Sequence, residues 1–470
     1  MNSLTRNRCF AAIASVFVLS RVLLWTLGIR FDAEPLNFYW QFVDPALLQH
    51  DYWRSLFYLE QQPPAFNAFL GAMLHALPGH PELGFLAVYF ALGLALSLAL
   101  FALMDRMKVD RRIALALAIL FALSPSTVLY EHLLFYEYPL TALLCLAALF
   151  LHRYADGGRS RDGAIFFGCL ALISGIRSVY HLAWFAAILA FVLLARRDHI
   201  RQTLRAAAIP ALLLLAFYAK QAILFHNLVP GGDIYKAISL STLEPPPGAL
   251  DRMIASGEIS RILKTDIFDL ARDFEQVSAD EGLAKISPPP PPTGIPVRDQ
   301  CTKSTDEINW NCVWLANLTA VYQKDSMVVL RRYPMSYVHA VEANVARYFL
   351  PDTQGWPFDG RSEYRNAEIL ARPLAASQLL ARTSYIAIPG LLISGLIILI
   401  RRRRNPDASA ITLAFMLGSI AYLTIVVLLL TYGDQNRIRT EVSPFFTVLL
   451  GLFLTRVLCR RSVQPRDPSL

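Results

Sequence analysis

Charge is scarce in this chain. Only 17% of its residues are Asp, Glu, Lys or Arg, against about 25% in ordinary soluble domains. Polar linkers are missing from the first 226 residues, although a soluble chain of 470 residues would need about three domains joined by them. No Asp-Xaa-Asp pair occurs, which weighs against a nucleotide sugar held through Mg²⁺. Gly-rich phosphate loops and Cys/His clusters are absent, and His132 and His181 stand isolated. No cofactor is therefore expected, and a divalent metal stays open. Internal repeats are not evident, which weighs against a transporter built from paired halves.

What the chain has in excess is apolar sequence. Hydrophobic residues make up 55% of it, in runs of about 20 residues, the length of a membrane-crossing helix. The expected fold is an all-α polytopic membrane protein of about ten transmembrane helices. They fall near 8–29, 83–104, 113–129, 138–152, 164–177, 181–195, 206–226, 383–400, 409–431 and 442–458. The fifth and sixth are short for a full crossing. The first is too long and lacks the cleavage site of a signal peptide. Arg21 lies near its middle, where a charge marks function or an ion pair.

Orientation follows the basic loops. With the amino terminus inside, the inner segments hold 20 Lys and Arg, including Arg401 to Arg404, and the short outer ones hold five. The net charge of +8 thus marks orientation rather than nucleic-acid binding. Both termini are expected in the cytoplasm of a bacterial inner membrane protein. Residues 1–226 read as a seven-helix module with a long first outer loop at 30–82. Residues 381–470 read as three helices and a basic tail. Between them, 227–380 carries 15 Lys and Arg against 19 Asp and Glu. It reads as a mixed extracytoplasmic (periplasmic) domain inserted between helices seven and eight, split by a strut at Pro288–Pro292 that favours polyproline II. Cys301 and Cys312 are the two outer cysteines of six, and an oxidising compartment would join them. The other four read as packing residues. Asn317-Leu318-Thr319 matches a glycosylation sequon, a chance match if the source is bacterial.

The first outer loop holds two amphipathic stretches, near 36–49 and 64–77, too short to span and suited to the membrane surface. Asp32 lies about three residues beyond the first helix. Desolvation there would raise its pKa and suit a general base; the plainer alternative is a helix cap or solvated acid. A helix, an Asp, an amphipathic stretch and an aromatic run ending in Pro63-Pro64 resemble the GT-C superfamily of membrane glycosyltransferases, which includes lipid A aminoarabinose transferases and protein O-mannosyltransferases. Asp32 matches the family's first-loop acid. Glu60-Gln61-Gln62-Pro63-Pro64 resembles its His/Lys/Glu-Pro-Pro motif, with Gln62 departing from the usual residue. Ser124-Pro125 followed by Glu131 and Glu137 resembles its acidic second loop. Gly433 to Arg439 followed by Pro444 is similar to its late Arg…Pro motif.

The resemblance implies inverting transfer of a sugar from a polyprenyl-phosphate donor to a glycan, lipid or protein acceptor on the outer face. The acceptor hydroxyl must lose a proton, and Asp32 is the expected base. Glu131 or Glu137 would orient the acceptor or hold sugar hydroxyls; otherwise each is an interfacial acid paired with Lys or Arg. Arg177, Arg437, Arg439 and Lys220 are candidates for the donor phosphate, arginine because its fork gives two parallel hydrogen bonds; otherwise they snorkel without a ligand. Glu60, Tyr130 and His181 are further substrate-binding candidates. Two other readings stay open. One is an O-antigen ligase or polymerase, which would use His339 on the late outer segment. The other is a lipid-linked glycan flippase.

Overall fold

The computed structural model describes residues 5–231, 240, 243–264, 287–288, 290–355, 357–358, 365–402, 407–431 and 433–460. Helices account for its regular structure: among the described residues there are two isolated β-bridges and no strand. Helix α1 covers Arg6–Thr26, and the first loop carries α2 (Pro35–Phe38), α3 (Pro45–His50), α4 (Tyr52–Phe57) and α5 (Ala65–Ala76). Then follow α6 (Pro81–Arg106), α7 (Arg111–Leu123), α8 (Pro125–Glu131), α9 (Glu137–Gly157), α10 (Ser160–Ile176), α11 (Leu182–Ala195) and α12 (Ile200–Phe225). The later part contributes α13 (Val313–Arg332), α14 (Pro334–Tyr348), α15 (Ser384–Arg402), α16 (Ala408–Leu430), α17 (Gln435–Arg439) and α18 (Ser443–Arg460).

Among the described residues, seven helical stretches are long and apolar enough to cross a membrane, or eight if the bent pair α7 and α8 is one span. The expectation of about ten is met only in part. The shortfall is the fifth and sixth, α10 with 17 residues and α11 with 14. At 1.5 Å per residue they measure about 25 and 21 Å, under the roughly 30 Å hydrocarbon core. The 54° bend between α7 and α8 has a local cause. Pro125 has no N–H and holds Ser124 extended, with ψ at 130°. It then starts α8 from the first position, where proline is at home.

Helix α9 is the hub. Its spanning stretch is 83% buried, against 17% for α12 at the periphery. In a membrane protein such all-round burial means contact with other helices rather than lipid. Small residues allow close approach: Ala142, Ala147 and Ala148 are fully buried on α9. On α6, a Cβ at Gly93 would lie 2.6 Å from the Tyr138 hydroxyl and 2.9 Å from the Glu131 carboxylate. Glycine there is what lets α6 close over that carboxylate.

The first loop departs from expectation in one half. Stretch 64–77 forms α5, but 36–49 is broken into α2 and α3, followed by α4. Pro45 is the break: it begins α3 with Asp44 as cap, whose Oδ1 accepts from the Ala46 N–H at 2.9 Å.

The mixed domain expected at 227–380 is not clear among the described residues. Its described residues are helical or irregular, and they do not form a separate unit. Val297, Tyr348, Leu370 and Leu374 join the same apolar core as the spans. Only small satellite clusters, around Trp310 and Met253, stand apart. Helix α14 is tied to the top of α16 by Tyr337 donating to the Leu429 carbonyl at 2.7 Å and Asn344 to that of Leu428 at 3.0 Å. Of the proline strut, Pro289 lies outside the described residues, and the rest is in no helix. Arg403, Arg404 and the tail 461–470 lie outside them as well.

Cys301 and Cys312 form the expected disulfide. It closes a loop that clamps the first loop. Lys303 donates to the Tyr39 carbonyl at 3.0 Å. Ser304 donates through N–H and hydroxyl to the Asp44 carboxylate at 2.8 and 2.6 Å. Trp310 packs edge-on against Trp40.

Candidate active site

The exit of α1 and the α8–α9 junction, a hundred residues apart in sequence, meet at Asp32. Its N–H donates to the His132 carbonyl at 2.7 Å, and its own carbonyl accepts from the Leu134 N–H at 2.9 Å. Its side chain turns locally, with Oδ1 accepting from the Glu34 N–H at 2.9 Å. Asp32 is half-buried. A second tie joins the same segments: the Tyr39 and Tyr136 hydroxyls lie 2.6 Å apart, and Tyr136 donates to Gln41 Oε1 at 2.6 Å. Burial pushes both phenols above the ordinary tyrosine range, so both remain donors near neutral pH.

Beneath this junction lie two buried ionic networks. In the first, Arg21 grips Glu131 with a two-pronged contact, Nε to Oε1 at 2.9 Å and Nη2 to Oε2 at 2.5 Å. Tyr138 donates to the same carboxylate at 2.8 Å, and Arg21 also donates to the Ala122 carbonyl at 2.9 Å. The phenyl face of Phe17 lies 4.1 Å from the guanidinium carbon. This answers the question posed by Arg21: its partner is on the neighbouring α8.

The second network is larger. Glu137, at the start of α9, lies 3.5 Å from Arg177 and 3.2 Å from Arg437. Arg177 also pairs with Glu441, which accepts from the Tyr180 hydroxyl at 2.6 Å. Arg437 donates to Asp434 at 2.7 Å. Glu137 and Glu441 are fully buried. The sequence places these groups in three separate segments, 137, 177–180 and 434–441; packing α10 and the turn Thr440–Val442, just after α17, against α9 assembles them. Two arginines against three carboxylates leave Glu137 bridging two cations, with neither oxygen in hydrogen-bonding geometry. Glu137 thus holds both arginines at ion-pair distance without locking either in a two-pronged pair.

Between the networks is a cavity of about 180 Å³. Ser126, Thr127, Tyr130, Thr141 and Thr440 present hydroxyl-bearing side chains to it, with Asp352 at its edge. Ser126 donates to Asp352 at 2.6 Å. Such walls suit a small polyhydroxylated group.

The other expected site residues are placed as follows. Arg439 donates to the Tyr348 carbonyl and, at 2.9 Å, to that of Leu350. Lys220 donates to the Phe57 and Leu59 carbonyls at 3.0 and 3.1 Å. Both hold loops. Glu60 pairs with Arg298. Tyr130 donates to the Asp352 carbonyl at 2.7 Å. His181 caps α11, its Nδ1 accepting from the Ala183 N–H at 3.2 Å. His339 is exposed on α14, 3.3 Å from Glu342. No group of three or more His, Cys, Asp or Glu able to hold a metal occurs among the described residues.

Sequence reasoning passes over Glu441 and Asp352. Glu441 carries a signal, since an acid inside an apolar span is rarely idle. Asp352 carries none: it follows α14 as an ordinary loop acid and reaches Ser126 only through the fold.

Residues 61–220 match the model described as dolichyl-phosphate-mannose-protein mannosyltransferase. Over about a third of its length the chain is thus similar to that family. The matched stretch contains the Pro-Pro motif, both acids of the α8–α9 junction and Arg177, so the superfamily expected from the motifs is the one found. A comparison with curated protein sequences returns no match. Among solved structures, the chain is similar to the archaeal oligosaccharyltransferase AglB from Archaeoglobus fulgidus in complex with an inhibitory peptide and a dolichol-phosphate, at 12% identity and TM-score 0.35, over 97% of this chain and 52% of that one. It is also similar to ArnT from Cupriavidus metallidurans bound to undecaprenyl phosphate, at 10% identity and TM-score 0.33, over 95% and 78%. The chain spans about half the length of AglB.

Proposed function

We propose that this protein is a multi-pass membrane glycosyltransferase that moves a sugar from a polyprenyl-phosphate donor to an envelope glycan, lipid or protein acceptor. The observation that carries the reading is the meeting of Asp32 with the acidic α8–α9 junction, because it unites two of the motifs that resemble GT-C enzymes. Asp32 takes the proton from the acceptor hydroxyl as the new bond forms at the anomeric carbon. Displacement from the face opposite the phosphate inverts that carbon. The donor phosphate is already a good leaving group, so the site needs cations more than an acid. Arg177 and Arg437 supply them, shared until then with Glu137. Glu131 acts by holding Arg21. The hydroxyl-lined cavity has room for one sugar ring.

The reading includes ten crossings, with the site on the outer face of a bacterial inner membrane, 227–380 on that side and both termini on the other. Arg177, just after α10, reaches Glu137 at the start of α9, and Arg196, just after α11, reaches Ala155 at its end. The arginines that follow the two short helices thus lie at opposite ends of α9, as successive crossings require.

The test is Asp32→Asn in purified protein supplied with polyprenyl-phosphate mannose and a membrane-extract acceptor. Loss of transfer by at least 100-fold is expected, in the range general-base removal gives, with unchanged thermal unfolding. Transfer at the wild-type rate would sink the assignment.

A further inference from the structure

The end of the bundle opposite Asp32 holds a second built feature. Helices α1, α6 and α9 leave a groove of about 300 Å³ there. Its floor is small, Ala95, Ala99 and Ala102 on α6, and Phe10 and Phe150 form its sides. Three arginines stand at its mouth: Arg6, Arg106 and Arg153. From Ala95 to Arg106 along α6 is about 16 Å at 1.5 Å per residue. That is about half of a hydrocarbon core roughly 30 Å thick. The groove thus has the depth of one lipid leaflet, with its charges at headgroup level.

We infer that this groove binds one anionic phospholipid, its phosphodiester at the three arginines and an acyl chain along α6. The charge balance favours a monoanion. The ion pairs around the mouth set four arginines, Arg111 included, against Asp105, Asp156 and Asp162. One positive charge is left over. The pairs also differ in grip. Arg153 is held at 3.0 Å by a nearly buried Asp162. Arg106 is only 3.7 Å from Asp156, itself 64% exposed, and Arg6 lies 3.5 Å from Asp105. Arg6 and Arg106 can turn to a phosphate without abandoning a buried carboxylate. Arg6 and Arg153 already lie over the Phe10 and Phe150 rings, which keeps their guanidinium planes at the groove wall. An isolated topology anchor would need only the charge. Here charge, depth and small-residue floor coincide.

The test is native mass spectrometry of the full-length protein in detergent, with phosphatidylglycerol or phosphatidylcholine of identical chains added. One phosphatidylglycerol should be retained at least tenfold more often than phosphatidylcholine. Arg6→Gln/Arg106→Gln should abolish that preference, while Arg401→Gln/Arg402→Gln should leave it intact. Ala95→Trp fills the groove without touching a charge and should expel the lipid too; it decides the matter if the arginine variant fails to fold. Inorganic phosphate at millimolar levels should not displace the lipid. Equal retention of the two lipids, retention by Ala95→Trp, or displacement by phosphate would overturn the proposal.

Discussion

The Arg21–Glu131 pair offers the sharpest test of how this core is built. Both side chains are almost completely buried, at 3% and 0% exposure. Glu131→Gln leaves the Arg21 cation with a neutral partner at membrane depth. Arg21→Met leaves the Glu131 anion with only the Tyr138 hydroxyl. Breaking a buried pair from one side costs about 3–5 kcal/mol, because the remaining charge stays desolvated. The double variant Arg21→Met/Glu131→Gln removes both charges and keeps the shapes close to the original. Its cost should be no larger than that of either single change, since replacing a whole buried pair is often near neutral. The assay is a double-mutant cycle by denaturant titration in micelles, followed by tryptophan fluorescence. Transfer activity measured on the same four proteins separates two roles for Glu131. A scaffold role predicts that the double variant regains stability and transfer together. A role touching substrate predicts that stability returns and transfer does not. Single costs below about 1 kcal/mol, or singles that simply add in the double, would refute the reasoning.

Four further outcomes are expected. Gly93→Val should destabilise the bundle by about 1–3 kcal/mol through overpacking, read as a lower Tm, because its side chain would enter the space held by Tyr138 and Glu131. Reducing Cys301–Cys312, or Cys301→Ser/Cys312→Ser, should cost about 2–3 kcal/mol for so short a loop and should speed protease cleavage within 37–62. Lys303 is buried, and that burial pushes its amine down to about 8 from the ordinary lysine value of 10.5. Below pH 8 the cost of burying the charged amine is fully present; from pH 8 to 10.5 the unfolded chain holds a proton the folded one lacks, so stability should rise with pH by at most about 1.4 kcal/mol per unit. The difference in denaturation midpoint between wild type and Lys303→Met across that window checks the sign. Arg177→Lys should lower transfer more than stability, because a lysine keeps the charge beside Glu137 and Glu441 but loses the fork that gives a phosphate two parallel hydrogen bonds; a KM for donor unchanged from wild type would contradict the phosphate role.

The sequence by itself determined the class of molecule. Apolar runs and basic loops are local properties, and a helix in lipid must satisfy its own backbone, so α1, α6, α9, α12, α15 and α16 are legible without any partner. The motifs were legible for a similar reason: Asp32 and Pro63-Pro64 sit at helix exits and turns that local chemistry defines. What the tertiary structure decided was which charges meet. Arg21 and Glu131 are 110 residues apart, and Arg177 and Glu441 are 264 apart. No periodicity links them, because their contact depends on which helices pack on α9. The same packing drew the segment 227–380, charged enough to read as a free domain, onto the first loop through Lys303 and Ser304. A buried charge reports only that a partner exists; naming the partner takes the fold.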